Sequence, residues 1–259
     1  MYANYHTHTF RCKHAKGIEE DYIKQAISEG IKILGFSDHA PYIYPEGYVS
    51  GFKMLPEQLR DYCDTLLFLR EKYKEQIEIH IGLETEYYEN MFDRTLEFWR
   101  EYPIEYLILG HHILGNEYES TRHVVGKPTE DGSILTHYVD AVISAVRTGR
   151  ITYVAHPDMF NFRGDMDFYR SENTRMLKVL KEHSVPIEIN LLGLMDNRHY
   201  PREEFWKLAG EMSADTIIGC DAHAPEFCPH AQTVLMAKRL ADRVGVNLLD
   251  EVKLINPLF

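Results

Sequence analysis

Short apolar runs in this chain repeatedly end in histidines and carboxylates, and this pattern constrains the fold more than any other feature. His6-Thr7-His8 ends the first run, and Asp221-Ala222-His223 follows the last. Side chains at positions i and i+2 of a β-strand point to the same face, so each cluster can direct two ligand atoms at one cation. The clusters after the intervening runs are Ser37-Asp38-His39, Gly82-Leu83-Glu84, Gly110-His111-His112 and Ala155-His156-Pro157-Asp158.

A single H-x-H motif is weak evidence, because such short patterns also arise by chance or as surface pairs. Asp221-Ala222-His223 repeats the i, i+2 spacing, and single His or Glu residues end the intervening runs, which together favour one site for several metal ions, built from the whole chain. Imidazole nitrogen and carboxylate oxygen are ligands that zinc, manganese and iron all accept. The sequence therefore predicts a polymetal centre and, with it, a hydrolase.

The apolar runs alternate with helical patterns along the chain. One such pattern places Leu59, Tyr62, Cys63, Leu66 and Leu67 in a single apolar stripe at helical spacing. Alternating strands and helices predict a parallel sheet with right-handed crossovers. The predicted strands are short and rich in Ile, Leu, Val and Tyr, and they cover residues 4–8, 33–37, 77–82, 106–110, 152–155, 186–189 and 216–219.

The polar clusters fall at or just beyond the carboxyl ends of these strands. Active sites of α/β barrels are built at that rim, whereas an open doubly wound sheet concentrates its ligands near one switch point. We therefore predict a closed or slightly open α/β barrel with the metal site at its C-terminal rim, formed by one domain over residues 1–259. The longest irregular connection, residues 115–133, is a candidate lid or specificity loop.

Composition narrows the functional class. Of the 259 residues, 44% are apolar, and no apolar run reaches the roughly 18 residues of a membrane span. The four cysteines form no C-x-x-C pair, and no apolar signal region opens the chain, so we expect a cytoplasmic location. The net charge of −12 disfavours nucleic-acid binding through a basic surface. The net charge does not exclude a small phosphorylated substrate, because bound metals would make the pocket cationic.

The order of the motifs resembles the PHP (polymerase and histidinol phosphatase) superfamily, and within it the histidinol-phosphatase branch. The resemblance extends over nearly the whole chain and rests on H-x-H, His14, S-D-H, G-L-E, H-H, H-P-D and D-A-H in that order. It implies a distorted, TIM-like (β/α)7 barrel that holds two or three divalent metal ions (Zn, Mn or Fe).

The resemblance also implies three sets of metal ligands. The first ion is expected on His6, His8, Glu84 and Asp221. The second shares Glu84 as a bridge and adds His112 and His156, and the third is expected on His14, His39 and His223.

The roles of three further residues, His111, Asp38 and Asp158, are predicted less specifically. The family usually has one histidine followed by an apolar residue at the position of His111-His112, which favours His112 as the ligand. His111 could then lie behind a ligand or face the substrate. Asp38 and Asp158 could orient imidazoles or cap backbone segments.

The reaction implied by these features is the hydrolysis of a phosphate monoester, since a metal lowers the pKa of a bound water towards neutrality. The histidinol-phosphatase branch specifies L-histidinol phosphate, hydrolysed to L-histidinol and phosphate in histidine biosynthesis. Glu84 and Asp221 would act in catalysis through the metals. Arg163 is the first candidate for orienting the phosphate and Arg11 the second, although either could be a surface ion-pair residue.

The proton donor to the leaving group could be His199, His123 or a water. Two other functions remain open. A PHP-type phosphodiesterase or exonuclease acting on nucleotides would need a basic strand-binding groove. A non-catalytic metal-binding regulatory domain would be indicated by damaged ligand sets, yet no family ligand is missing. No nucleic-acid or membrane partner is expected.

Overall fold

The computed structural model describes residues 1–259 and contains ten strands and eight α-helices. The strands are β1 (Ala3–Asn4), β2 (Ile33–His39), β3 (Glu78–Thr85), β4 (Tyr106–Leu109), β5 (Ile113–Leu114), β6 (His123–Val124), β7 (Tyr153–Val154), β8 (Ile187–Asn190), β9 (Asp215–Gly219) and β10 (Asn247–Leu248). The helices are α1 (Glu19–Ser28), α2 (Leu59–Tyr73), α3 (Phe92–Trp99), α4 (Gly132–Arg147), α5 (Met166–Glu182), α6 (Leu191–Met195), α7 (Glu203–Glu211) and α8 (Ala231–Val244).

One curled sheet joins eight of the strands in the order β1-β2-β3-β4-β7-β8-β9-β10. Every neighbouring pair in it is parallel, while β5 and β6 form a separate antiparallel hairpin. At the carboxyl rim, a bridge between Thr7 and Ala222 joins the chain after β1 to the chain after β9. The amide of His8 donates to the carbonyl of Ala222 at 3.0 Å. The predicted barrel-like α/β fold is therefore confirmed, with β10 as an additional short strand beside β9.

Alternation along the strands separates the helix-covered face of the sheet from its inner face. Ile81 and Leu83 of β3 belong to the large core cluster that also contains the buried helix residues, so Glu84 projects to the opposite, inner face. A smaller cluster that includes Tyr106 and Tyr153 fills that inner face. The inner face is thus apolar within the sheet and polar at its carboxyl rim.

The predicted stripe of α2 is largely confirmed, with one correction. Leu59, Tyr62, Cys63 and Leu66 are buried, but Leu67 is 40% exposed. At 3.6 residues per turn Leu67 lies on the flank of the stripe, and the buried Leu69 lies closer to its centre. None of the helices combines the length and the apolar character needed to cross a membrane.

Candidate metal centre

The nine predicted ligands converge at the carboxyl rim, with the buried carboxylate of Glu84 at the centre. His156 Nε2 lies 3.0 Å and His6 Nε2 3.4 Å from Glu84 Oε1. On the other side, His39 Nδ1 lies 2.8 Å from Glu84 Oε2. His112 Nε2 lies 3.7 Å from Oε1, which makes His112, as expected, the histidine of its pair that faces the centre.

The remaining ligands extend the cluster towards solvent. Asp221 Oδ1 lies 3.1 Å from His8 Nε2 and 3.6 Å from His6 Nε2. The Nε2 atoms of His14 and His223 face each other at 2.9 Å. Two imidazole nitrogens aimed at one point in this way are suited to share a cation or a proton.

Local backbone geometry makes room for this arrangement. A Cβ at Gly110 would lie 1.9 Å from Glu84 Oε1, so only glycine leaves space for that carboxylate. His156 and Asp221 adopt positive φ angles of 29° and 50°. Non-glycine residues in this region are strained, and such strain is concentrated at functional sites, where the surrounding structure enforces it.

Buried acids orient several of the imidazoles from behind. His6 Nδ1 lies 2.8 Å from Glu188 Oε1, and His8 Nδ1 lies 3.3 Å from Asp38 Oδ1. A carboxylate partner on one ring nitrogen fixes the tautomer and leaves the other nitrogen free to bind a metal. Asp158 does not do this: it accepts hydrogen bonds from the amide of Arg202 and from the indole of Trp206.

The pKa values divide the histidines into two groups. Burial opposes protonation of His8, but hydrogen bonds to Asp221 and Asp38 outweigh it and raise its pKa to about 9. The carboxylates around His8 therefore favour positive charge at the centre. Burial lowers the pKa of His39 to about 4 and that of His223 to about 3, so both imidazoles are neutral at pH 7 and retain a free lone pair.

The residues present fit divalent metal ions. His6 Nε2 and Glu84 Oε2 are buried and have charged or imidazole groups close by, but neither atom makes a hydrogen bond of good geometry. Buried carboxylates are costly unless cations offset them, and five lie in or directly behind the cluster: Asp38, Glu84, Glu86, Glu188 and Asp221. Mixed imidazole and carboxylate donors suit Zn, Mn or Fe.

The geometry groups the donors in overlapping sets rather than in three separate ones. Ligand atoms lie within 4.8 Å of one another in the sets His6/His8/Asp221, His6/Glu84/His156 and His8/His39/His223. His14 shares such a set with Cys12 and His223. The expected division of ligands among three ions therefore stays a prediction.

A cleft of about 960 Å³ opens onto the cluster. Its walls beyond the predicted ligands combine apolar and charged side chains. The apolar ones include Phe52, Met159, Leu192, Met195 and Phe227, and the charged ones are Lys16, Asp196, Arg198 and Glu226. Residues 115–133, the candidate lid, do not line it; part of that segment forms the hairpin strand β6.

The two arginines expected to orient phosphate do not line this cleft. Arg11 is 2% exposed, and its guanidinium pairs with the carboxylates of Glu19 and Asp61. Arg163 is exposed, and its Nε donates to Asn161 Oδ1 at 2.8 Å. Their expected role is therefore not supported by where they lie, because each has protein partners away from the cluster.

The expected proton donors are also displaced from the cleft. His199 Nε2 lies 2.7 Å from the carbonyl oxygen of Met159, and His123 lies on the hairpin strand β6. Neither lines the cleft. His111 lies behind the cluster, with Nδ1 3.3 Å from Glu86 Oε2, and its ring stacks on Tyr138.

The sequence contains signals for residues that the pattern of strand ends missed. Glu188 is an acid between the two isoleucines of β8, and Glu86 repeats the i, i+2 spacing with Glu84. The position of Glu188 in its strand and the spacing of Glu86 from Glu84 both direct a carboxylate towards the cluster. Lys16 and Arg198 had no comparable signal, because loops bring them to the cleft.

Comparison with known proteins supports the family resemblance seen in the sequence. A family model described as "PHP domain" matches residues 4–191. A "probable histidinol-phosphatase" of Deinococcus radiodurans is 25% identical over 227 residues, which cover 85% of each chain. A "probable phosphatase" of a Thermoanaerobacter species is 22% identical, over 84% of this chain and 77% of the relative.

The fold likeness extends over almost the full length. The crystal structure of histidinol phosphate phosphatase from Lactococcus lactis, in complex with Zn, L-histidinol and phosphate, has a TM-score of 0.76 at 17% identity. That comparison covers 97% of this chain and 98% of the other. Since the family model spans well over half of the residues and contains all predicted ligands before Asp221, this chain belongs to the PHP domain family.

Proposed function

We propose that the chain is a metal-dependent phosphate monoester hydrolase that converts L-histidinol phosphate and water to L-histidinol and phosphate. The observation that carries the proposal is the cluster of nine imidazole and carboxylate side chains, five of whose histidines lie within 4 Å of Glu84, beside a cleft of small-molecule size. Relatives named as phosphatases, and one named as a histidinol-phosphatase, support this reaction class and this substrate.

Divalent ions, when bound, would supply positive charge for the phosphate oxygens and a water that deprotonates near neutral pH. His6, His8, Glu84, His156 and Asp221 would hold them, with the outer histidines adding further ligands. The chain's contribution is to fix these side chains and to shield the reacting centre with the apolar walls of the cleft.

Charged residues of the cleft would orient the substrate. Arg198 Nη2 lies 2.8 Å from Asp196 Oδ2 and its Nη1 donates to the hydroxyl of Tyr200 at 3.0 Å, so the guanidinium is held in place at the cleft wall. Arg198 and Lys16 offer donors to phosphate oxygens. Asp196 and Glu226 offer carboxylates to the ammonium group of an amino alcohol.

His230 takes the place of His199 as the proposed proton donor to the leaving alkoxide. It is the one histidine that lines the cleft without belonging to the predicted ligand set. It precedes α8, and its Nδ1 lies 3.4 Å from Thr233 Oγ1, which leaves Nε2 as the atom available to carry the proton. Imidazole is the side chain most often used as a general acid, which suits this position beside the leaving group.

The test is a substrate panel with metal-replete protein: L-histidinol phosphate, a generic aryl phosphate and a dinucleotide. We expect kcat/KM for histidinol phosphate to exceed that for the aryl phosphate by more than about tenfold, or about 1.4 kcal/mol of transition-state binding. A smaller preference would indicate a generalist phosphatase. Dinucleotide cleavage would indicate the nucleotide-directed alternative, and no turnover at all a regulatory domain.

A further inference from the structure

A buried lysine lies close to the metal centre and belongs to no part of the proposed reaction. Lys53 is 1% exposed, and its Nζ lies 2.5 Å from Glu117 Oε2 and 3.5 Å from Glu86 Oε1. Its ammonium also lies 4.1 Å from the ring centroid of Phe52, which lines the cleft. A fully buried charge is retained at a cost in stability, so its partners indicate what it does.

Glu86 connects this lysine to a predicted metal ligand. Its Oε2 accepts the amide of His112 at 2.7 Å, and its Oε1 lies 3.1 Å from His112 Nδ1. An ionised carboxylate can only accept, so Nδ1 carries the hydrogen. In the neutral imidazole, which is the form that binds a metal, Nε2 is then the unprotonated nitrogen, and it is the atom that faces Glu84. Two bonds to one side chain fix both the position and the tautomer of His112.

The buried ion pairs of Lys53 also fix the position of one wall of the cleft. The ring of Phe52 packs edge-on against His39 and His112 at centroid distances of 5.3 and 6.2 Å. Because Phe52 adjoins Lys53 in the chain, the ion pairs of Lys53 also anchor Phe52. Tyr44 adds a hydrogen bond of 2.6 Å to Glu117, which ties this carboxylate to the segment before Phe52.

We propose that Glu86 is a positioning residue for His112, and that Lys53, as the buried counter-charge of Glu86 and Glu117, keeps Glu86, His112 and Phe52 in register with the metal centre. The inference rests on the metal centre of the proposed function but not on any substrate. Carboxylates that orient metal-binding histidines typically contribute about 10- to 100-fold to metal affinity.

The first test measures zinc binding to chelator-stripped protein by competition with a chromophoric chelator. Glu86→Gln keeps the size of the side chain and an oxygen that can accept the backbone amide of His112. It places the side-chain NH2 group, a donor, opposite the Nδ1–H of His112. We expect its weakest-bound essential zinc to bind about 10- to 100-fold less tightly than in the wild type. The matched control is Glu105→Gln, because Glu105 also accepts a backbone amide, from Ile81 at 2.7 Å, and lies near a histidine outside the centre, His80. Its zinc affinity should remain that of the wild type.

A second variant separates positioning from folding. Lys53→Met leaves buried carboxylates unpaired and could unfold, so the companion is the double variant Lys53→Met/Glu117→Gln, which removes both charges of the shorter ion pair. Replacing a buried pair by neutral groups is often tolerated. We expect it to melt cooperatively but to bind zinc more weakly than Glu105→Gln does.

Histidine-selective NMR supplies a readout that a purely structural role would not change. The Nδ1–H proton of His112 should be protected from exchange in the wild type and lose that protection in Glu86→Gln. Zinc affinity of Glu86→Gln within twofold of the wild type, or an unchanged His112 signal, would overturn the proposal. A wild type that binds zinc but hydrolyses no phosphate monoester would refute the proposed function and leave this inference standing.

Discussion

The metal centre has an inner part and an outer part that differ in how the protein holds them. The inner part, defined by His6, Glu84 and His156, is buried, and Glu188 contacts both of its histidines: Oε1 at His6 Nδ1 and Oε2 at the amide of His156. The outer part, defined by His14 and His223, contacts solvent. Its imidazoles are oriented by the backbone carbonyl oxygens of Cys12 and Asp221, at 2.8 and 3.0 Å.

This difference should determine how tightly each part binds an ion. The inner part contributes negative charge that a cation neutralises, in a region from which water is excluded, so electrostatic attraction there is strong. The outer part contributes neutral imidazoles, and solvent screens any charge beside them. We therefore expect a tightly held inner pair of ions and a more readily exchanged outer ion.

The largest expected effect follows removal of the carboxylate at the centre. Glu84→Ala deletes the one side chain that lies within 4 Å of His6, His8, His39, His112 and His156. We expect kcat/KM to fall by about 10³-fold or more, about 4 kcal/mol, with loss of at least one inner ion by elemental analysis.

The control for this variant is Glu78→Ala, at the exposed amino end of the same strand. It should keep the activity and the metal content of the wild type. If Glu84→Ala retained its metals and near-normal turnover, Glu84 would not bridge two ions.

A smaller effect is expected when the support of the inner part is weakened without removing a ligand. The side chain of Glu188 is tightly enclosed: a Cβ at the neighbouring Gly219 would lie only 1.7 Å from Glu188 Oε1. Glu188→Gln is nearly isosteric and therefore fits the same space. The change removes the charge behind His6, and we expect inner-metal affinity to fall by about 10- to 100-fold. Timed chelation followed by elemental analysis measures it. Inner ions lost no faster than in the wild type would mean that Glu188 supports the fold rather than the ion.

A modest effect is expected in the outer part. His14→Ala should lose one ion while the inner pair stays, and kcat/KM should fall by about tenfold, or about 1.4 kcal/mol. In the wild type, a chelator should remove that same ion first. His137→Ala, on α4 and away from the cluster, is the control. Simultaneous release of all ions would contradict the division into inner and outer parts.

The meeting of the polar clusters at one rim could be predicted from the sequence because each cluster depends on local strand geometry, whereas His14 and the choice of His112 over His111 rest on the family resemblance. His6 and His8 share a face through strand alternation, and Glu84 follows an apolar strand whose direction fixes its side. Parallel pairing then brings the carboxyl ends to one rim. The structure brings all nine predicted side chains together, and their assignment as metal ligands stays a prediction.

The charged residues around the substrate could not be predicted in the same way. Whether Arg11 faces a phosphate depends on Asp61, which lies 50 positions later, and no local pattern reveals that pairing. Helices α3, α6 and α8 and the short strands β5, β6 and β10 were likewise not predicted. In α8 the buried stripe contains two alanines, Ala237 and Ala241, while Leu235 and Met236 are exposed, so hydrophobicity alone marks the wrong face.

The smallest effect on activity is expected at Arg11, where the sequence suggested a phosphate contact. The guanidinium lies in the turn between His8 and His14, bound to Glu19 and Asp61, and Glu19 is itself buried. Arg11→Met leaves Glu19 without its partner, so the free energy of unfolding should fall by about 3 kcal/mol. Because the arginine does not line the cleft, kcat/KM should change by less than about threefold, through slight loosening of the turn that carries His14. Denaturant unfolding and steady-state kinetics measure the two quantities, and exposed Arg163→Ala should change neither. A large rise in KM for phosphate substrates with unchanged stability would place Arg11 at the phosphate and would show that the outer part of the centre reaches further into the substrate site than its geometry indicates.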